Sequence, residues 1–169
     1  MKLNRFLLVA MLPMALATSA GAAGLKVEKV RYAGPFKPTT PLVLDSIDNK
    51  QTHYNADKMV DTPLSLDITG EKPLVAIGSL KLDSATLNVV RFDVCASSYV
   101  KELKLDVKGT KKYKVYADGV EQGGSLSLQP GFHSLSLKFV ADSTGIAVTL
   151  PSEALVAVDS ERHALTMKD

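Results

Sequence analysis

Apolar and polar residues alternate along most of the chain after residue 24, and this period of two predicts β-strands. The most apolar run, residues 86–96, predicts a central strand. Residues 100–109, in which apolar and charged residues alternate, predict a strand with one solvated face. About eight or nine short strands at spacings of roughly ten residues, with no repeat of fixed period, predict an all-β antiparallel sandwich of jelly-roll type. Further strands are predicted at residues 25–32, 41–47, 63–68, 73–83 and 145–151.

Residues 113–139 predict two β-hairpins that follow one another. The alternation of the first hairpin breaks at Asp118-Gly119, a dipeptide that suits a tight type I′ turn. The second hairpin is predicted to turn at Pro130-Gly131, where proline fixes φ and glycine tolerates a positive φ.

The longest irregular stretch of the pattern runs from Asp48 to Thr62. Within it, residues 55–61 predict one short helical turn, for which Asn55 and Asp57 are the candidate N-caps.

The first residues of the chain have the three parts of a secretory signal. Lys2 and Arg5 form a short basic region, residues 6–16 are apolar apart from one proline, and small residues follow with Ala20-Gly21-Ala22 as the best cleavage site. An apolar run of this length is too short for a membrane-spanning helix, which needs about twenty residues. We therefore predict export to the periplasm or the extracellular space, with no membrane span.

This signal sets the predicted domain limits. Residues 1–22 are the signal peptide, residues 23–158 the β-sandwich domain, and residues 159–169 a polar C-terminal tail or linker. The whole chain has 20 lysines and arginines against 18 aspartates and glutamates, and the signal carries two of the basic residues and none of the acidic ones. The predicted mature chain is therefore neutral, which removes a general electrostatic case for binding nucleic acid.

The chain offers few residues for catalysis. Cys95 is the only cysteine, so no intrachain disulfide is possible, and a structural role is favoured over a reactive thiol. Ser125 follows two glycines in residues 123–127, but the second glycine of a nucleophile elbow is missing and a strand is predicted to follow, so this segment predicts a turn.

Metal ligands are equally sparse in the sequence. None of the three histidines, His53, His133 and His163, has a second histidine or cysteine at metal-ligand spacing. His133 shares strand parity with the leucines that follow it, which favours a partly buried structural role. Asp45 and Asp48 supply too few oxygens for a calcium site and predict a solvated loop. We therefore predict no catalytic, cofactor-binding or metal-binding residue.

Tyr116 marks a candidate surface for a ligand or a partner. It lies on the strand face opposite Val115, beside Lys112 and Lys114, and a tyrosine exposed there would be free to bind. A tyrosine that packs against the neighbouring strand is the alternative interpretation. Sugar-binding sandwiches usually need flat aromatic platforms, and the chain has no tryptophan.

Residues 115–142 resemble the small accessory sandwiches of secreted bacterial enzymes. The shared pattern is an aromatic strand, an Asp-Gly turn, a Leu-x-Leu strand, a Pro-Gly-x-His corner and a final apolar strand. The same shape occurs in protective-antigen-like and carbohydrate-binding sandwiches. Residues 30–61 look like the start of secreted prolyl-oligopeptidase-type peptidases, directly after their signal, and the resemblance extends over residues 25–169.

This resemblance implies a sandwich that precedes a β-propeller and an α/β-hydrolase domain. The nucleophile, acid and histidine of such peptidases lie in the hydrolase domain, so the resemblance gives this chain no catalytic residue. We therefore expect a non-catalytic accessory module whose partner is a propeller–hydrolase module. The alternatives are a free-standing carbohydrate- or surface-binding module, with a glycan as ligand, and a small exported enzyme whose site the sequence does not reveal.

Overall fold

The computed structural model describes residues 24–37, 44–48, 51–62 and 73–159, with the backbone alone at residues 44–48 and 51–54. The predicted signal peptide, the strand predicted at residues 63–68, and the tail beyond residue 159 lie outside the described residues.

The described residues are mostly β-strands with one short α-helix, α1 (Ala56–Asp61), and all paired strands are antiparallel, as the sequence predicts. Their strands are β1 (Leu25–Lys26), β2 (Lys29–Phe36), β3 (Leu44–Asp48), β4 (Gln51–Tyr54), β5 (Val75–Ala76), β6 (Leu87–Ala96), β7 (Val100–Leu103), β8 (Asp106–Lys108), β9 (Thr110–Ala117), β10 (Val120–Gln122), β11 (Leu126–Leu128), β12 (Gly131–Ala141), β13 (Ala147–Leu150) and β14 (Leu155–Val158).

Among the described residues, the largest sheet has seven strands, and its path is β10-β9-β12-β6-β2-β5. Strand β14 shares one edge of β6 with β2, because β2 pairs with residues 87–91 and β14 with residues 93–96. The central strand predicted at residues 86–96 is therefore confirmed as β6. The other described sheets are β1-β13-β8, β11-β7 and β3-β4.

The first predicted hairpin is confirmed and the second is wrong. Strands β9 and β10 pair across Asp118 (φ 50°) and Gly119 (φ 83°), the two positive φ angles of a type I′ turn. Strand β11 pairs with β7, whereas β12 pairs with β6 and β9. The turn at Pro130-Gly131 therefore carries the chain from one sheet to another.

Two predicted strands are shorter than their sequence patterns. Residues 100–109 split into β7 and β8, which lie in different sheets, and Glu102 in β7 has a φ of +50°. Val100 pairs with Leu128 and Leu103 pairs with Leu126, so β7 advances three residues where β11 advances two. This extra residue in β7 is a β-bulge. Residues 73–83 form only β5 before a 3₁₀ turn at Ile77–Ser79.

One large hydrophobic cluster forms the core, and it draws side chains from several sheets. Strands β6, β9 and β12 contribute the residues of one face of the large sheet, which we call the core face, and Phe139 is the largest of its fully buried side chains. Strands β7, β11 and β13 add Leu103, Leu126 and Val148 from the smaller sheets. In β9 the apolar positions Val115 and Ala117 are buried and alternate with less buried ones, whereas residues 135–141 of β12 are buried on both faces.

Helix α1 packs against the opposite, or outer, face of the large sheet. Met59 and Val60 form a second cluster with Leu87 of β6 and Val140 of β12. Asn55 is the N-cap, because its side-chain oxygen accepts hydrogen bonds from two backbone N–H groups of the first turn.

Candidate functional site

The three residues of the predicted surface, Lys112, Lys114 and Tyr116, lie together on the outer face of β9 beside helix α1. Lys112 Nζ is 2.7 Å from Asp57 Oδ1, and Lys114 Nζ is 2.7 Å from Asp61 Oδ1. Alternate residues of a strand are about 6.6 Å apart, and residues four apart on a helix are about 6 Å apart. The two lysines and the two aspartates therefore match in spacing, and they clamp α1 onto the sheet.

Hydrogen bonds in this clamp favour the charged forms of its side chains. The hydrogen bond to Asp61, followed by the one to Glu121, raises the pKa of Lys114. The same contact with Lys114 lowers the pKa of Asp61. The hydrogen bond to Asp57 raises the pKa of Lys112. The clamp is consequently a set of ion pairs over the neutral pH range.

Tyr116 is half-buried on this face and contacts its neighbours through both its hydroxyl and its ring. Its hydroxyl lies 3.4 Å from Glu121 Oε2, and Lys138 Nζ lies 5.9 Å from the ring centroid. Burial, followed by the charge of Glu121, raises the pKa of this hydroxyl. Lys138 is buried and donates a hydrogen bond to the Thr62 carbonyl at 3.1 Å. Tyr116 is therefore a packed tyrosine within a polar network.

Sequence reasoning located the three candidate residues but missed the four that hold them, Asp57, Asp61, Glu121 and Lys138. One signal was available: two acids four residues apart on the predicted helical turn match two lysines two residues apart on a strand.

A row of polar side chains crosses the outer face beside this clamp. Arg31 NH1 donates to Asp93 Oδ2 at 3.3 Å, and Ser134 Oγ donates to Asp93 Oδ1 at 2.7 Å. Arg91 Nε donates to Ser134 Oγ at 2.6 Å. Arg31 Nε is buried without a hydrogen-bond partner. The row links β2, β6 and β12, and Asp93 is its shared acceptor.

His133 braces the type I′ turn against β12. Its Nδ1 lies 2.6 Å from Asp118 Oδ2, and its Nε2 lies 2.7 Å from the Gln129 carbonyl oxygen. Both partners accept, so the two contacts favour an imidazolium that donates from both nitrogens. The hydrogen bond to Asp118 raises the pKa of His133 against the opposing effect of burial. The structure thus places His133 in a structural contact.

Other sequence candidates lie apart from one another. Ser125 is half-buried between β10 and β11, and a strand follows it rather than a helix. Cys95 is half-buried on the outer face of β6, where Phe132 and Val156 flank it in register. Asp45 and Asp48 lie in β3 and His53 in β4, where the backbone alone is described, and His163 lies outside the described residues.

A cavity of about 370 Å³ opens beside the edge of the large sheet. Tyr113, Val115 and Leu126 form its apolar part, and the loop at Gly123-Gly124 closes one side. This cavity adjoins Lys114 of the predicted surface but lies at the strand edge rather than on the outer face.

The described residues show neither a metal-binding cluster nor a membrane-spanning helix. They contain no group of three or more histidine, cysteine, aspartate or glutamate residues that could hold a metal ion. No helix in the part of the chain that the structure describes is long and apolar enough to cross a membrane. Comparison of the chain with models of known protein families, with curated proteins and with solved structures finds no match.

Proposed function

We propose that the chain is an exported, non-catalytic β-sandwich module of jelly-roll type that binds a protein partner. Its partner is a propeller–hydrolase module of the prolyl-oligopeptidase type, and the chain serves as the accessory domain of that assembly. The observation that carries the choice of a protein over a sugar is the engagement of the candidate surface: Lys112, Lys114 and Tyr116 all contact other side chains of the chain itself, so this surface offers no open aromatic platform.

The composition of the core supports the sandwich. One cluster joins Phe139 of the large sheet with Leu126 of the β11-β7 sheet and Val148 of the β1-β13-β8 sheet. Sheets that share a core through their inner faces are the defining feature of sandwich folds. Export rests on the predicted signal at residues 1–22.

The outer face is better suited to a protein than to a sugar. Its lysines are neutralised by Asp57, Asp61 and Glu121, and the ring of Tyr116 lies against Lys138. A glycan would need an open aromatic platform, whereas contacts between domains are commonly modest in area, about 600–1,500 Å², and fairly polar. The neutral predicted mature chain is compatible with such a contact.

A carbohydrate-binding module is the second candidate, and one observation favours it. The cavity beside Tyr113 combines an aromatic ring with the polar side chains of Glu121, Gln122 and Ser125. Concave sites that combine apolar walls with a few polar groups are typical of small-ligand binding.

Binding of the exported chain to two kinds of target separates the candidates. Protein purified from the extracytoplasmic fraction is passed over cellulose, xylan, chitin and starch, and separately over an immobilised propeller–hydrolase module. We expect association with the module and none with the polysaccharides, and we expect an intact mass that lacks about the first 22 residues. Tight polysaccharide binding that Tyr113→Ala at the cavity or Tyr116→Ala on the outer face abolishes, with no association to the module, would reverse the ranking.

A further inference from the structure

Strand β9 has one edge that the described strands only partly cover. Strand β12 pairs with β9 from Thr110 to Ala117. On the other edge, β10 pairs only with Val115, Tyr116 and Ala117. Among the described strands, the first part of β9 therefore has a partner on one edge alone.

Tyr113 directs its backbone groups toward this open edge. Asp118 donates its backbone N–H to the Ser134 carbonyl of β12, so the residue that follows β9 faces β12. Backbone groups of successive residues point alternately to the two edges of a strand. Val115 and Tyr113 have the opposite parity to Asp118, and their N–H and C=O groups point away from β12.

The cavity of about 370 Å³ lies directly beside this backbone pair. Two of its apolar walls, Val115 and Leu126, belong to the main core, and Leu105 packs against that core. The cavity is therefore a gap at the periphery of the hydrophobic core, beside the sheet edge. Its volume falls within the range of about 300–1,000 Å³ that is usual for ligand pockets.

We propose that the open edge of β9 binds an extended peptide segment of the protein partner. The segment adds as an antiparallel strand and exchanges two backbone hydrogen bonds with Tyr113, the mode known as β-strand addition. The peptide residue opposite Tyr113 shares its face of the sheet, so a large apolar side chain there enters the cavity and extends the core. This inference rests on the proposed function and assigns the site and the kind of partner.

The lysines on either side of Tyr113 determine which peptide residues suit the positions next to the large apolar residue. Lys112 is 51% exposed and has three N–H donors, of which Asp57 takes one, so a carboxylate opposite Lys112 adds an ion pair. Lys114 already contacts Asp61 and Glu121, so a neutral polar residue suits the position opposite it. Antiparallel pairing then gives the order neutral polar, large apolar, acidic, from the N-terminus of the peptide.

The same lysines argue against a second copy of the chain at this edge. Two β9 strands that paired antiparallel about Tyr113 would place Lys112 of one copy opposite Lys114 of the other. Like charges directly opposite each other on one face of a sheet are destabilising. Lysines on an edge strand are a common device against such self-pairing.

The test uses synthetic heptapeptides, capped at both ends, with threonine at every position except phenylalanine at the fourth and glutamate at the fifth. The first control moves the glutamate to the third position. The second control carries an N-methyl group on the phenylalanine amide, which removes the N–H that Tyr113 would accept. Each peptide carries a fluorophore as its N-terminal cap, binding to the exported chain is measured by fluorescence anisotropy, and hydrogen exchange reports on the Tyr113 amide.

Two matched glycine variants test the cavity. Gly124→Leu places a side chain at the cavity wall, and Gly78→Leu places one on a remote 3₁₀ turn. A Cβ atom at either position meets no atom within 4 Å, so both variants are expected to fold. We expect the first peptide to bind, Gly124→Leu and each control peptide to weaken binding at least tenfold, and Gly78→Leu to leave binding unchanged.

Several outcomes would overturn the inference. They are no binding of the first peptide at millimolar concentration, equal binding of the N-methylated peptide, and binding that Gly124→Leu leaves intact. A dimer that Gly124→Leu abolishes would assign the edge to a second copy instead. If the propeller–hydrolase module binds the chain and Gly124→Leu has no effect on that binding, the proposed function stands and the edge inference fails.

Discussion

Removal of the Asp93 carboxylate should destabilise the fold more than any exposed acid would. The side chains of Arg31 and Asp93 are only 8% and 11% exposed, and Arg31 Nε has no hydrogen-bond partner. Asp93→Ala therefore leaves a buried guanidinium with two unpaired donor atoms and removes the acceptor of Ser134 Oγ. Loss of one partner of a buried ion pair typically costs about 3–5 kcal/mol. We expect a loss of about 3 kcal/mol, since Arg31 keeps slight contact with solvent.

Urea unfolding of the purified protein measures this loss. With a slope of about 2 kcal/mol per molar urea, a loss of about 3 kcal/mol lowers the midpoint by about 1.5 M. Asp106→Ala is the matched control, because Asp106 and Lys108 form a 3.9 Å pair whose side chains are 58% and 77% exposed. That control should change the free energy of unfolding by less than about 0.5 kcal/mol.

The reasoning also predicts that the two charges are better removed together. Arg31→Met combined with Asp93→Leu leaves no unpaired charge, so it should cost less than Asp93→Ala alone. An Asp93→Ala variant as stable as Asp106→Ala, or a double variant less stable than Asp93→Ala, would show that the pair is not buried in the way described.

Three further changes test other contacts by urea unfolding. Met59→Ala should cost about 2–3 kcal/mol, because it empties the centre of the α1 cluster, whereas Val120→Ala at an exposed position should cost little. His133→Asn should cost most below about pH 6, because the pKa of His133 is raised in the folded state and this stabilisation is lost as pH rises through that pKa. Gly109→Ala should cost about 2 kcal/mol or more, because φ is +93° and a Cβ would collide with a backbone carbonyl, whereas Gly124→Ala should be neutral. A pH-independent effect of His133→Asn, or a neutral Gly109→Ala, would contradict these contacts.

The positions of the strands could be predicted from the sequence because apolar residues recur at every second position of a strand that faces the core. Leu135, Leu137 and Phe139 alternate with less apolar residues, and all three are fully buried. The turn at Asp118-Gly119 was equally predictable, since few dipeptides accept two positive φ angles. Both features depend only on residues that are close together along the chain.

Strand pairing depends on residues that are far apart, and local patterns do not report it. Leu126 and Leu128 show that β11 buries one face, but the same pattern suits a partner in either sheet. The chemistry of Pro130-Gly131 suits a hairpin turn and a crossing between sheets equally well. The second hairpin was therefore predicted from correct local rules and was still wrong.

The position of α1 on the outer face also depends on contacts between residues that are far apart along the chain. It affects the interpretation of the candidate surface more than the strand pairing does. Parity placed Lys112, Lys114 and Tyr116 on one face, but it could not show that Asp57 and Asp61 would occupy the two lysines. Because helix α1 engages the outer face of β9, the proposed peptide would approach this strand at its edge, beside the cavity. The clamp would also hold β9 in place before the proposed peptide binds, and an edge that is ordered in advance loses less entropy on binding. In the proposed strand addition, the residues predicted as a contact surface would therefore act by positioning the edge beside them.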